Sequence, residues 1–178
     1  MRVAISGAHA TGKSTLIAEL ARRLPDYVVA DESYYALAAE GHGFSANPST
    51  DDFELFLDRS CDALARDAAR DVLMDRCPAD YLGYLIATPV SSSDAVPRWF
   101  ARTATAIATL DLVVFVPIER PDRISVSAAE RPRLRRRVDL ALREILVEDT
   151  WGLGAPVLEV SGTPADRAHQ VLARIEKA

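Results

Sequence analysis

The chain has 178 residues, which is enough for one α/β domain with its own core and too few for two such domains. Hydrophobic residues make up 49% and charged residues 26%, as in ordinary globular proteins, and no apolar run is long enough to span a membrane. The net charge of −5 argues against a protein that binds nucleic acid through a generally positive surface. Because the amino terminus leads directly into a predicted strand rather than a signal peptide, we expect a cytoplasmic protein.

The first predicted elements are a short strand, a loop with two glycines and a helix. The apolar strand covers Val3–Ser6, and the helix runs from Lys13 to Leu24, with Pro25 ending it. The segment between them matches G-x-x-x-x-G-K-[ST], in which backbone N–H groups and a helix N-terminus hold phosphate oxygens. We therefore expect this whole segment, here called the phosphate loop, to bind a nucleoside triphosphate. Its residues are Gly7, Ala8, His9, Ala10, Thr11, Gly12, Lys13, Ser14 and Thr15.

Lys13 stands out because the chain has only two lysines, the other being Lys177, against nineteen arginines. A compact ammonium on a flexible stem reaches the β- and γ-phosphates, whereas a planar guanidinium does not fit the loop. The hydroxyl of Ser14 is expected to bind Mg²⁺. His9 has no second histidine or cysteine nearby, so we expect it to fill the loop rather than to bind a metal.

Two acidic residues follow the second predicted strand, Tyr27–Ala30. An enzyme that phosphorylates a hydroxyl needs a carboxylate to accept or orient its proton. Consecutive strand residues point to opposite faces, so only one of Asp31 and Glu32 can enter the cleft. We favour Glu32 and keep Asp31 as the alternative. The next aromatic residues, Tyr34 and Tyr35, either line an acceptor pocket or pack half-buried.

A long helix is predicted over Phe53–Leu73, and the third strand over Val72–Met74. Within the helix, Arg59 is a candidate substrate contact. Asp75 follows the strand directly, where enzymes acting on nucleoside triphosphates place a second acidic group that holds Mg²⁺. Arg76 is expected to point the other way and to neutralise phosphate or orient an acid. The alternative for this pair is a surface ion pair at the end of a strand.

An arginine-rich segment follows the fourth predicted strand, Leu112–Val116. Its seven arginines are Arg120, Arg123, Arg131, Arg133, Arg135, Arg136 and Arg137. We expect residues 117–137 to form a mobile lid that closes over the triphosphate and excludes water. Arg123 and Arg131 are the lid candidates for stabilising the transferred phosphoryl group, whereas residues 133–137 form in part the exposed start of a helix. Acidic flanks argue against a nucleic-acid surface here.

The fifth predicted strand, Val157–Val160, completes an alternation of apolar runs and helical stretches. This alternation predicts a parallel sheet with helices on both faces and ligands beyond the carboxyl ends of the strands. Residues 161–164 either pass beside an adenine ring or simply connect the last strand to a helix. Loops are predicted over Gly41–Asp52 and Thr88–Pro97. The two cysteines, Cys61 and Cys77, are expected to be reduced and semi-buried.

In these features the chain resembles the nucleoside- and nucleotide-kinase branch of the P-loop proteins. The likeness is greatest to the AAA-type ATPase/kinase-like group that includes ribosylnicotinamide kinase domains, with thymidylate and deoxynucleoside kinases more distant. The matching positions span most of the chain; they are Gly7–Thr15, Glu32, Asp75, Arg76, Asp80, Tyr84 and the arginine-rich segment. The chain departs from the pattern at Ala10, where glycine or serine is frequent, and at Cys77-Pro78, where deoxynucleoside kinases tend to have serine.

The resemblance implies a single domain over residues 1–178, a three-layer α/β/α sandwich with a five-stranded parallel sheet of order 2-3-1-4-5. It also implies ATP and Mg²⁺ as cofactors, Glu32 as a base-like residue, Asp75 and Ser14 near the metal, and Arg76 at the substrate or phosphate. We therefore expect a kinase that transfers the γ-phosphoryl group to a hydroxyl or phosphate of a small nucleoside-like acceptor.

The alternative function is a regulatory NTPase, acting on ATP or GTP, that works through a protein partner. A binding domain without catalysis is disfavoured because Lys13, Ser14 and Asp75 are all present. The acceptor, the choice of ATP over GTP and the oligomeric state are left open by the sequence pattern. Neither nucleic acid nor a membrane is expected as a partner.

Overall fold

A computed structural model of the chain describes residues 1–45, 47–66, 69–88 and 95–177. Its strands are β1 (Arg2–Ser6), β2 (Val28–Ala30), β3 (Val72–Asp75), β4 (Leu112–Phe115) and β5 (Val157–Glu159). Its α-helices are α1 (Lys13–Arg23), α2 (Ser33–Ala39), α3 (Thr50–Arg66), α4 (Pro78–Ala87), α5 (Ala95–Ile107), α6 (Pro132–Leu142) and α7 (Pro164–Ile175). A 3-10 turn over Ala128–Glu130 precedes α6, and a π-helical turn over Arg143–Val147 follows it.

The strands form one parallel sheet in the order β2-β3-β1-β4-β5, which confirms the predicted architecture and strand order. In the centre of the sheet, Ala4 of β1 is in register with Met74 of β3 and Val113 of β4. Apolar runs suit the central strands because both of their faces are covered. The edge strand β2 differs from the prediction of burial on both faces, because its Val28 and Val29 are exposed.

The sheet separates two hydrophobic cores. Val3 and Ile5 of β1 face the layer that contains α1 and α7. Ala4, between them, faces the layer that contains α2 to α6. Alternate residues of each central strand therefore bury into opposite layers, as the two-residue period of a strand requires. Both cysteines are free and buried.

Helix α3 differs from its prediction. It begins at Thr50 and ends at Arg66, whereas the apolar stripe had predicted a helix that continued to Leu73. Val72 fits the helical stripe, but its N–H donates to the carbonyl of Met1, so the backbone pairs with a neighbouring strand instead. Of the predicted loop over 88–97, residues 89–94 lie outside the described residues, and α5 begins within it.

The carboxyl ends of β1, β2 and β3 meet at one edge of the sheet, and they continue into the phosphate loop, Glu32 and Asp75 respectively. This parallel arrangement brings together residues that are far apart in sequence. No helix of the described residues is both long and apolar enough to cross a membrane.

Candidate active site

The phosphate loop turns sharply between β1 and α1. A Cβ atom on Gly7 would lie 2.5 Å from the carbonyl oxygen of Val116, so only glycine fits there. Gly12 has φ +92°, which glycine adopts without strain, and α1 begins at the next residue. Ala10 also lies in the left-handed region, with φ +54°. The loop therefore places one residue with a Cβ, Ala10, in a conformation that usually favours glycine.

Lys13 is folded into the loop. Its Nζ donates to the carbonyl of Ala8 at 2.8 Å, and the residue is only 6% exposed. Burial, assisted by the positive charge of Arg76, lowers the pKa of Lys13 to about 7. A phosphate group bound in the loop would favour the charged ammonium form.

The two predicted metal ligands lie side by side. The Ser14 hydroxyl donates to Asp75 Oδ2 at 3.2 Å. The other carboxylate oxygen, Oδ1, is buried and has no hydrogen-bond partner in the described part of the chain. Burial raises the pKa of Asp75, which indicates a carboxylate that lacks a strong partner. Hydroxyl and carboxylate oxygens are the ligands that Mg²⁺ prefers, so these residues fit that ion.

Arg76 joins the phosphate loop to two carboxylates. Its Nε donates to Glu32 Oε1 at 2.6 Å, and its Nη1 donates to the carbonyl of Gly7 at 3.0 Å and lies 3.4 Å from Asp80 Oδ1. Asp80 is fully buried and also accepts the N–H of Gly7 at 2.9 Å. Arg76 has φ +74°, which breaks the strand alternation. For this reason Asp75 and Arg76 both contact the loop region, although the strand pattern had predicted opposite directions.

A cavity of about 220 Å³ lies beside the phosphate loop. Its described lining residues are His9, Glu32, Tyr34, Asn47, Pro48, Phe53, Phe56, Arg76, Tyr81, Tyr84, Ala129, Glu130, Arg131 and Leu134. We call it the acceptor cavity. Its walls are largely aromatic, and Tyr84 stacks on Phe53 with ring centroids 4.8 Å apart. Flat apolar walls with a few polar groups are typical of sites for small ring-containing molecules.

The structure separates the two candidate bases and the two tyrosines. Glu32 and Tyr34 line the acceptor cavity, whereas Asp31 lines a second cavity of about 240 Å³ against α3. Tyr35 is exposed to solvent. Arg59, the candidate substrate contact in α3, instead forms an ion pair with Glu40 and lines the second cavity.

The two predicted lid arginines lie in different places. Arg131 lines the acceptor cavity. Arg123 forms an ion pair with Glu119 at 2.8 Å, is largely exposed and does not line the cavity. The structure thus brings only Arg131 to the acceptor side of the site.

Two further arginines, Arg135 and Arg167, are buried and contact the phosphate loop, although the sequence pattern does not single them out as loop contacts. Arg135 donates to the carbonyls of His9 at 3.0 Å and Ala10 at 2.9 Å, and pairs with Asp122. It had been grouped with the exposed start of α6, but it is only 2% exposed. Arg167 of α7 donates to the carbonyl of Thr11 at 2.8 Å. Both lie in line with the apolar residues of their helices, a position where a charged residue is unusual and could have been noticed.

We expect Arg135→Ala to destabilise the protein by about 3 kcal/mol, because it leaves two loop carbonyls and Asp122 without their partner. Arg136→Ala is the matched control, since Arg136 is exposed on the same turn of α6 and should change stability by less than about 0.5 kcal/mol. Urea unfolding of both variants measures the difference. Equal losses would show that Arg135 does not support the loop.

The chain is similar to a known protein family and to several solved structures. The sequence profile of a family described as an AAA domain matches residues 2–167. A search of curated proteins finds no match. Two similar solved structures cover nearly the whole chain. Deoxyadenosine kinase from M. mycoides with bound dATP has a TM-score of 0.68 at 12% identity, covering 99% of this chain and 100% of that chain. Thymidylate kinase from Candida albicans has a TM-score of 0.65 at 14% identity, covering 98% and 90%.

The NadR protein in complex with NAD and AMP-PNP is also similar in structure. Its TM-score is 0.67 at 19% identity, with 98% of this chain covered. Only 48% of the NadR chain is covered, so the present chain spans about half of that protein. At such low identities the likeness establishes the fold.

Proposed function

Because the chain belongs to the AAA domain family and has the fold of P-loop nucleoside and nucleotide kinases, we propose that it is an ATP- and Mg²⁺-dependent kinase. It transfers the γ-phosphoryl group to a hydroxyl group of a small nucleoside-like acceptor. The observation that carries this proposal is the position of Glu32. Its carboxylate lines the acceptor cavity and is held by Arg76, which in turn contacts the phosphate loop.

The charges around the cavity favour a hydroxyl over a phosphate as the acceptor group. Arg76 is already paired with Glu32 and lies beside Asp80, so its positive charge is offset. An incoming phosphate would meet the Glu32 carboxylate, and the arginine that contacts this carboxylate, Arg76, is already paired. Of the described arginine and lysine residues that line the cavity, the other is Arg131, which is exposed. A neutral alcohol can instead donate its hydrogen to Glu32.

Each group of residues has a separate role in the proposed phosphoryl transfer. The loop N–H groups and Lys13 hold the β- and γ-phosphates. Ser14 and Asp75 would hold Mg²⁺, which neutralises phosphate charge when it is bound. Glu32 orients the acceptor hydroxyl and accepts its proton, and the aromatic walls bind the acceptor ring. Within the lid, residues 117–137, Arg131 approaches the transferred phosphoryl group and stabilises its charge.

A screen of candidate acceptors with γ-labelled ATP tests this proposal. The set pairs each nucleoside with its 5′-monophosphate and compares labelled product with free phosphate. We expect transfer to one or more nucleosides and at least about 100-fold less to the matched monophosphates, since these place a phosphate against Glu32. Preferred transfer to a monophosphate would contradict the hydroxyl assignment. Hydrolysis that no acceptor stimulates would favour the regulatory NTPase instead.

A further inference from the structure

The segment Ser127–Arg131 covers one side of the acceptor cavity and is held at its end by α6, where Arg135 contacts the phosphate loop. It contains the 3-10 turn, and none of the residues in that turn is buried. Ser127 and Glu130 cap the turn through bonds to each other, which fix its shape but not its place. Ala129, Glu130 and Arg131 nevertheless line the cavity. Apolar burial cannot account for the position of this segment.

His9 attaches the 3-10 turn itself to the phosphate loop. Its Nε2 lies 2.6 Å from the carbonyl oxygen of Glu130. Within the described part of the chain, the other hydrogen bonds of the 3-10 turn are made to Ser127, Ala128 or the start of α6. Among the described residues, the bond from His9 thus joins the turn to an element that is distant in sequence, across 121 residues.

The ring of His9 is held in one orientation and one tautomer. A carbonyl oxygen only accepts, so Nε2 carries the hydrogen and donates it to Glu130. In the neutral ring Nδ1 then accepts from the Tyr84 hydroxyl, which lies 2.9 Å away. Burial, together with the charges of Arg76 and Lys13, lowers the pKa of His9 despite the bond to Glu130, and so favours this neutral form. Tyr84 is itself stacked on Phe53.

We propose that His9 is a positioning residue that ties the Ser127–Arg131 turn to the phosphate loop and so keeps water out of the acceptor cavity. The bond crosses the space between the loop, where the γ-phosphate would lie, and the turn that carries Arg131. An untied turn would leave this side open, and water would compete with the acceptor for the phosphoryl group. The role in excluding water rests on the kinase function proposed above, whereas the tie itself does not.

Two substitutions of His9 distinguish the contact of Nδ1 with Tyr84 from the contact of Nε2 with Glu130. The side-chain amide of asparagine matches the position of Nδ1, so His9→Asn keeps the contact with Tyr84 but is too short to reach Glu130. The longer glutamine places its NH₂ group near the position of Nε2, so His9→Gln keeps a donor for the Glu130 carbonyl. Tyr84→Phe removes the hydroxyl that contacts Nδ1 and accepts the backbone N–H of His9, and it leaves the bond to Glu130 in place.

Hydrogen exchange of the Glu130 and Arg131 amides, which bond to Ser127 and Ala128 within the turn, measures how much the tie stabilises the turn in the protein without substrate. We expect exchange about 10-fold faster in His9→Asn, corresponding to the loss of one hydrogen bond, and near-wild-type exchange in His9→Gln and Tyr84→Phe. His9→Ala repeats the loss if the asparagine variant does not fold. Unchanged exchange in His9→Asn, or equally fast exchange in His9→Gln, would overturn the proposal.

The ratio of ATP hydrolysed to acceptor phosphorylated tests the consequence for water. We expect this ratio to rise about 10-fold in His9→Asn and to stay low in His9→Gln. If no acceptor is found, the kinase proposal fails while the exchange result still decides the tie. If transfer occurs but the ratio is the same in both variants, the kinase proposal stands and the role of His9 in excluding water is wrong.

Discussion

Replacing Lys13 by alanine is expected to lower nucleoside triphosphate turnover about 1,000-fold or more, since it removes the ammonium that stabilises charge on the β- and γ-phosphates. The fold should survive. Burial lowers the pKa of Lys13, so its charged form adds little to the stability of the folded protein, and the contact that is lost is the bond from Nζ to the carbonyl of Ala8. Steady-state turnover and thermal unfolding of the same preparation measure both effects.

The chain offers a matched control for this experiment. Lys177 is the other lysine, and it lies exposed near the carboxyl terminus, far in sequence from the phosphate loop. Lys177→Ala should leave turnover and melting temperature unchanged. Turnover that persists in Lys13→Ala would remove the loop from the mechanism, and a large fall in melting temperature would show that Lys13 is needed for folding.

The second large effect is expected for Glu32→Gln, which should lower kcat about 100-fold or more and leave the KM for ATP nearly unchanged. Glutamine keeps the shape and an oxygen that can accept from Arg76, but it cannot take up the proton of an acceptor hydroxyl. The fall in kcat therefore measures the loss of the base, because glutamine preserves the shape of the cavity wall. Single-turnover transfer to the acceptor found in the screen, with separate titration of ATP, distinguishes kcat from nucleotide binding.

Asp31→Asn is the matched control for this prediction. Asp31 is the neighbouring acid, and it lines the second cavity instead of the acceptor cavity. Its substitution should leave transfer essentially unchanged. A loss in Asp31→Asn as large as in Glu32→Gln would show that the charge at the end of β2 matters but not the position of Glu32. An unchanged kcat in Glu32→Gln would refute its role as the base.

The sheet and the phosphate loop could be predicted because their signals are local. The glycines at positions 7 and 12 meet backbone requirements that no other residue meets without strain, and Lys13 is fixed in the same short pattern. Buried strands likewise appear as continuous apolar runs. The strand order came from the family resemblance, which most of the chain supports.

The rest of the site depends on contacts between distant parts of the chain. Arg135 and Arg136 are adjacent and have nearly the same neighbours in sequence. Only the position of Arg135 on the apolar side of α6 distinguishes it from Arg136. Its partners, the carbonyls of His9 and Ala10, lie about 125 residues earlier. The end of α3 could not be predicted for a related reason. Val72 fits the helical pattern, and only its pairing with β1, a contact between distant parts of the chain, shows that it belongs to a strand.

The separation of the two cores has a consequence for how this protein could change. Helices α1 and α7 pack on one face of the sheet, whereas α2, α3 and α4 on the other face supply the aromatic residues of the acceptor cavity. A smaller residue in place of Phe56 can therefore change the shape of the cavity without repacking α1 and α7 against the sheet. Selection, natural or in the laboratory, can remodel the cavity wall while the packing of α1 and α7 is inherited intact.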